Sequence, residues 1–411
     1  MSSPRESSDD LKRSACQTAW RSLAQDQPQL AAEALRPFAE QTTEDEELAR
    51  VWCAMMGWVD DFNHLERELR RIARVWASSP PVVLEMSKTI LRAWNRRPGP
   101  HPFADRDSII GLGVDLLDLC LKEAPPSQAD QRSALFLQRA SLLQLAGPLA
   151  DDRALSDIEI ALTLNPEDGS GWFQLARLHL IRGRWEKSAI ATEHALRYNF
   201  DPLRAGWNLA IALTGCAPSS PSETRSLHES WKLAGHIEFS QACVEDTQGR
   251  TVAQGLDHQL VAVHTQMVSL NGWELEQPWD SEVIWVQPLS PCHGRLLHPT
   301  AGQFPADFDD LILWDPQPVR FENVEGEERP IMPAIAMLER GKALVRPLPR
   351  PRLTPDQIQQ LNAALPQGVF FHQAQDNTDK TGKLCWPRGM IARDAISRFD
   401  HAWSSLVKVD S

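Results

Sequence analysis

Tyrosine is almost absent from this 411-residue chain: Tyr198 stands alone against 15 tryptophans and 13 phenylalanines. Tryptophan offers a large buried area with one N–H donor, so this aromatic bias speaks of packing and names no activity. Cysteine is sparse and scattered, with seven residues at positions 16, 53, 120, 216, 243, 292 and 385. No Cys-x-x-Cys pair occurs, which removes support for a zinc knuckle or a thioredoxin-type redox motif. The odd count argues against a disulfide framework and fits a reducing compartment. Positive charge is in deficit, Lys+Arg 42 against Asp+Glu 55, for a formal net charge of −13. Such a chain repels a phosphate backbone on average, so no nucleic-acid partner is expected. Long apolar runs are lacking too: none approaches the ~18–20 residues of a membrane helix. The opening stretch Met1–Ser14 has no apolar core of the secretory kind. The expectation is a cytoplasmic protein with no membrane partner.

What is present is an ordinary globular composition, 42% hydrophobic and 24% charged, long enough for two to three domains. Proline divides it unevenly, 15 of the 30 falling between Pro278 and Pro387. Before that region the apolar positions recur at helical period. From about Thr251 onward the pattern shortens and β-branched residues cluster. A main boundary is expected near residues 236–250, giving a helical part over 1–240, a β-rich domain over 250–345, and a β-α-β unit with a terminal helix over 346–411.

The first part reads as paired helices: 10–25 with 28–40, 44–58 with 60–77, 81–94 with 107–122, 131–146 with 151–164, 170–182 with 185–197, and 203–214 with 222–235. Several pairs span about 34 residues, a helix–turn–helix repeat period. Ile109, Leu112, Leu116, Leu117, Cys120 and Leu121 fall on one helical stripe. One hairpin cannot bury both of its apolar faces, so stacking into an array is the physical consequence.

The clearest unit runs from Gly169 to Asn199, with Trp172, Leu175 and Ala176 on its first helix, Gly183 and Trp185 at the turn, and Ala195 on its second. The small alanines let two helices approach, Trp172 and Leu175 fill the space between repeats, and Gly183 permits a positive φ at the helix end. The preceding unit supplies Ala161 and the closing Leu164-Asn165-Pro166; the following one supplies Asn208, Leu209 and Ala210. Over residues 131–215 this pattern resembles the tetratricopeptide repeat (TPR) family. His179, Ser188 and Thr192 depart from its usual residues, and the closing proline is displaced to Pro202. Residues 10–122 keep the rhythm without the signature.

The resemblance implies an α-solenoid whose first helices line a peptide groove. Its groove positions here would be Phe173, Arg177 and Leu180 in one repeat and Trp207, Asn208 and Ile211 in the next. Some members hold a C-terminal carboxylate in a clamp of lysine, asparagine and arginine. Phe173 replaces the first such lysine, though Arg177 beside Asn208 could still hold a carboxylate or a carbonyl. The competing expectation is that Phe173 and Trp207 pack against the C-terminal part and close the groove.

In that C-terminal part, Thr251–Ala253, Gln259–His264, Glu282–Val286, Gly294–Leu297 and Asp310–Trp314 read as strands between tight Pro/Gly connections, giving a small barrel or curled sheet. Lys342–Arg346 continues the pattern. Thr354-Pro355 opens a helix, Thr as N-cap and Pro at the first helical position, which runs to Leu365. Gly368–His372 follows as a strand, completing a β–α–β unit, and Ile391–Leu406 forms a terminal helix. The fold class is thus a TPR-like α-solenoid followed by a β-rich α+β domain.

Three further stretches carry charge or chemistry. Arg67, Arg70, Arg71 and Arg74 share one helix face, where like charges repel unless Glu66, Glu68, other repeats or an acidic partner offset them. Cys292-His293, with His298, suggests a thiolate nucleophile. Neighbours on a strand face opposite ways, so Cys292 would pair with His298, oriented by Asp307, Asp309, Asp310 or Asp315. The segment reads equally as a rigid turn. Arg346–Arg352 reads as polyproline II, a stiff connector or a docking peptide. No phosphate-loop, zinc-protease or nucleophile-elbow motif stands in its required context. The leading expectation is a non-catalytic scaffold that binds another protein, with no cofactor and no metal. The alternatives are an enzyme with a Cys/His site in the C-terminal domain and an acidic inhibitor or immunity-type protein.

Overall fold

The structure, a computed structural model, describes residues 8–58, 61–95, 103–123, 128–146, 148–216, 229–235, 243–245, 251–253, 259–264, 281–300, 306–316, 318, 320–324, 326–349, 353–373, 381–387 and 389–407. The helical rhythm becomes α1 (Ser8–Ala24), α2 (Pro28–Leu35), α3 (Glu46–Met56), α4 (Phe62–Trp76), α5 (Pro80–Asn95), α6 (Phe103–Glu123), α7 (Ala129–Ala146), α8 (Asp151–Leu164), α9 (Gly169–Ile181), α10 (Trp185–Arg197) and α11 (Pro202–Gly215). A 3-10 turn, Arg36–Thr43, follows α2. The starts are chemically marked. Asp45 Oδ1 accepts the Leu48 N–H (2.9 Å) ahead of α3, and Asp61 Oδ1 accepts that of His64 (3.1 Å) ahead of α4, each satisfying an orphan donor of the first turn.

The helices stack as an array. Besides the hairpin contacts α1–α2, α5–α6 and α7–α8, the first helices of successive pairs touch: α1 with α3, α3 with α5, α5 with α7. A continuous core threads them, built from Leu35, Leu48, Met56, Leu65, Leu69, Met86, Ile90, Leu117, Leu135, Leu142 and Ile158. At Gly113 a Cβ would stand 2.6 Å from Leu142 Cδ1 and 2.9 Å from Ile90 Cδ1, so a larger residue there would make those side-chain ends shift between α6, α5 and α7.

Two compact units emerge: Met1–Leu178 with Ile190–Asp201, and His179–Ala189 with Pro202–Ser411. The division falls inside α9 and α10, upstream of the expected boundary near 236–250, most of which lies outside the described residues. The reason is packing. Leu180, Ala189, Ala210, Ile211, Ala212, Trp231 and Ala234 share one core with strand residues Cys292, Leu313, Ile335 and Ala336, so the end of the helical series is built into the β-rich unit.

The strands of that unit are β1 (Cys243–Glu245), β2 (Thr251–Ala253), β3 (Gln259–His264), β4 (Ser281–Ser290), β5 (His293–Leu296), β6 (Leu311–Trp314), β7 (Arg320–Val324), β8 (Glu327–Glu339), β9 (Ala343–Pro349), β10 (Phe370–His372) and β11 (Thr381–Pro387). β1 pairs with β2. The order β3-β4-β5-β6-β8 returns on itself through a parallel β8–β3 pairing, Leu260↔Ile331 to Ala262↔Pro333, and β7 joins along the first half of β8. This is the expected barrel. Its ring is closed by β8, which sequence reasoning leaves unassigned because Pro330 and Pro333 interrupt the pattern. Alternation sorts the side chains: Val261, Val263, Ile284, Val286, Leu296, Ile312 and Trp314 form one core, while Leu313 turns the other way to the helices.

The C-terminal β–α–β unit differs from expectation by one strand. Between β9 and β10 runs the helix α12 (Pro355–Ala364), and β11 lies between the two strands, antiparallel to both, in the order β10-β11-β9. Thr354 and Gln357 cap α12 reciprocally as a capping box. Arg346–Pro349, expected as polyproline II, belongs to β9; Arg350–Arg352 lie outside the described residues. The terminal helix α13 (Ala392–Val407) and α12 cover one sheet face through Phe371, Leu384, Trp386, Leu361, Ala395 and Phe399.

Candidate functional site

The groove residues implied by the repeat pattern are mostly spent on packing. Phe173 is buried and stacks on Phe200, ring centroids 4.3 Å apart at 18°. Arg177 remains half-buried on α9. Leu180 and Ile211 lie in the dry core that holds Cys292, Leu313, Ile335 and Ala336. Trp207 meets Trp231 edge-on, 5.4 Å at 89°. Asn208 is buried, its Nδ2 donating to Ser188 Oγ at 3.4 Å. Leu180 and Ile211 are covered by Cys292 of the β4–β5 turn, Leu313 of β6 and Ile335 and Ala336 of β8, and Asn208 is buried on α11. Removing two apolar faces from water together, at ~25 cal/mol per Å2, drives that closure.

His179, one of the departures from the repeat pattern, is also buried. Burial first, then the positive charges of Arg184 and Lys187, lower its pKa from 6.5 to about 4.

The Cys/His constellation does not assemble. Cys292 sits in the β4–β5 turn, where Ser290 Oγ accepts the N–H groups of Cys292 (3.2 Å) and His293 (3.1 Å) and also bonds His293 Nδ1. Its carbonyl accepts the Trp314 N–H at 2.7 Å. Burial pushes the Cys292 thiol up to about 12, against the pull of hydrogen bonds from Ser290 and Thr214 and with a further rise from Asp315. A thiol so held is no thiolate near neutrality. His298 instead stacks on His372, 5.0 Å at 26°. The candidate orienters brace loops: Asp307 Oδ1 accepts the N–H groups of Thr300 (2.9 Å) and Phe308 (2.8 Å), Asp309 Oδ2 that of Lys342 (2.6 Å), and Asp310 Oδ1 that of Gly341 (2.6 Å). The rigid-turn reading is the one the geometry matches.

The arginine stripe on α4 is offset locally. Arg70 Nε donates to Glu66 Oε1 (2.8 Å) and Arg71 Nη2 to Glu68 Oε2 (2.8 Å). Arg67 and Arg74 are exposed. An acidic partner would thus meet two arginines already engaged by carboxylates, and the stripe reads mainly as a solvated face.

A polar cluster on the touching first helices lies at the α3–α5 seam, which sequence reasoning passes over. There Arg92 Nη1 donates to the Ala54 carbonyl of α3 at 2.9 Å. Glu85 lies 3.8 Å from Lys88 Nζ and 3.9 Å from Arg92 Nη2. Lys88 is half exposed. The signal in the sequence is Glu85, Lys88 and Arg92 at i, i+3 and i+7 on a helix with no other charged residue. Among the described residues no group of three or more His, Cys, Asp and Glu is placed to hold a metal ion. No described helix is long and apolar enough to cross a membrane.

Stacked antiparallel helix pairs followed by a barrel and a split β–α–β sheet define the class: a TPR-like helical part joined to a β-rich α+β part. No protein-family model matches the chain, and no curated protein matches it. Among solved structures it is similar to a thermophilic TPR protein of Thermus thermophilus, at 16% identity over 49% of this chain and 99% of that one, with a TM-score of 0.40. It is similar to YrrB, described as a TPR protein with an unusual peptide-binding site, at 14% identity over 51% and 97%, TM-score 0.33. MamA from Desulfovibrio magneticus RS-1 matches at 15% identity over 56% and 97%, TM-score 0.33.

Proposed function

We propose that this chain is a protein-interaction scaffold that takes up another polypeptide along the first-helix face of α1, α3, α5 and α7. The observation that carries the reading is the side-by-side contact of those helices, which builds one continuous surface from four separate hairpins. The α3–α5 seam supplies its recognition group: the half-exposed Lys88 for carbonyls and carboxylates, with Glu85 and Arg92 beside it. Charge pairs in such a surface set partner choice, and a few buried anchors set affinity. The barrel has no part in capture. A thiolate reaction at Cys292 finds no support in its surroundings.

The test is capture by the full-length protein. The intact chain retains its partner, Lys88→Glu weakens retention about tenfold or more, as loss of a charge-assisted contact would, and Cys292→Ala leaves it unchanged. Retention indifferent to Lys88→Glu but lost with Cys292→Ala would overturn the assignment of the surface.

A further inference from the structure

The three-stranded sheet has a second face, and its chemistry differs from the first. Register pairs Phe370 with Cys385 and His372 with Lys383 across β10 and β11, and Cys385 with Val345 and Lys383 with Pro347 across β11 and β9. Directly opposed residues point the same way, so this face carries Phe370, His372, Lys383, Cys385, Val345 and Pro347. It meets the barrel segment that follows β5. Phe370 packs edge-on to Phe308 at 4.5 Å and 79°. His372 stacks on His298 at 5.0 Å and 26°. Lys383 Nζ donates to the Thr300 carbonyl.

Titratable groups meet at this seam from both sides, and the Asp310 carboxylate stands next to it, accepting the Asp307 N–H at 2.9 Å. β10 brings His372, β11 brings Lys383 and Cys385, and β9 brings none. The barrel segment brings His298 and Asp307, and the Asp307 carboxylate is held by two backbone N–H groups, of Thr300 and Phe308. Two imidazoles and an ammonium thus converge with one carboxylate that already has backbone partners. Burial first, then the charges of His298 and Lys383, hold His372 down at about 4. The Cys385 thiol is fully buried on the same face.

We propose that this seam is an acid-released latch: the stacked His298–His372 pair docks the three-stranded sheet on the barrel while both rings are neutral, and its protonation lets the sheet lift away. A proton on either ring places a cation against the other ring and beside Lys383. A charged His372 is buried against the Lys383 ammonium, and a second proton on His298 sets two cations ring to ring, so the stack gives way. The released element is the sheet with α12 and α13, whose own core of Phe371, Leu384, Trp386 and Phe399 lies on the opposite face and is untouched by the opening.

Cys385 reports the opening directly. The full-length chain is exposed to 4,4′-dithiodipyridine, which reacts with thiols in acid, across pH 7.5 to 4, and the labelled cysteines are mapped by mass spectrometry. Labelling of Cys385 rises as pH falls below about 6.5, by up to tenfold per unit, while Cys53, in the core of the helical array, stays protected. His298→Phe/His372→Phe keeps the ring stack without its protons and abolishes the rise. Should that pair not fold, Lys383→Met, which removes one of the repelling cations, shifts the rise to lower pH. Labelling of Cys53 and Cys385 together, an unchanged acid response in these variants, or no Cys385 labelling at pH 4 would each overturn the latch.

Discussion

Arg139 grips Asp157 through two parallel hydrogen bonds, Nε to Oδ2 at 2.8 Å and Nη2 to Oδ1 at 2.5 Å, while its Nη1 reaches Asp118 Oδ1 at 2.7 Å. One guanidinium on α7 thereby ties α6 to α8. The Asp157 side chain is only 3% exposed, so its charge depends on that partner. Arg139→Ala leaves a carboxylate buried without its cation and costs about 3–5 kcal/mol, whereas Arg139→Met with Asp157→Leu recovers most of that loss. Urea unfolding of the two variants measures the difference. Equal losses in both would show that packing, and not charge, holds these three helices.

Ile211 and Leu313 share the core in which helix α11 meets the barrel. Ile211→Ala and Leu313→Ala each cost about 2–5 kcal/mol. The double variant departs from additivity by about 0.5 kcal/mol or more, because both side chains line one space. Strict additivity in a double-mutant cycle would separate the helix from the barrel.

The thiols differ sharply in reach. Cys216 is exposed, whereas Cys53 and Cys292 are buried. Brief alkylation of the native protein at pH 8 modifies Cys216 and spares Cys53 and Cys292, and peptide mapping reads the outcome. Rapid modification of Cys292 would restore the nucleophile reading of the β4–β5 turn.

His179 supplies a second acid response. Its pKa falls from 6.5 to about 4 on folding, so its contribution is present above 6.5 and is lost as pH drops from there toward 4. His179→Gln flattens the pH dependence of the midpoint for urea unfolding between pH 6.5 and 4.5. An unchanged slope would show that the ring accepts its proton without penalty.

Local features of the fold were legible in the sequence, and distant ones were not. Helical period, the Trp172–Ala176–Ala195 signature and the Thr354-Pro355 start are all written within a few residues of the element they specify. β8 was hidden by Pro330 and Pro333, which the ladder tolerates where neighbours bulge or end. The filling of the groove beside Leu180 and Ile211 was hidden for another reason. Its occupant comes from Leu313 and Ile335, more than a hundred residues downstream, and no periodicity names a partner at that separation. The Cys292–His298 pairing rested on strand alternation alone, and the turn at Cys292 broke the alternation on which it depended.

The parallel pairing of β3 with β8 cannot form until residue 333 has been made. During synthesis at ~5–20 residues per second, Ile211 emerges from the ribosome several seconds before Leu313. Throughout that interval Leu180 and Ile211 lack the strand residues that cover them in the finished fold, so this patch is the part of the helical series that stays exposed longest.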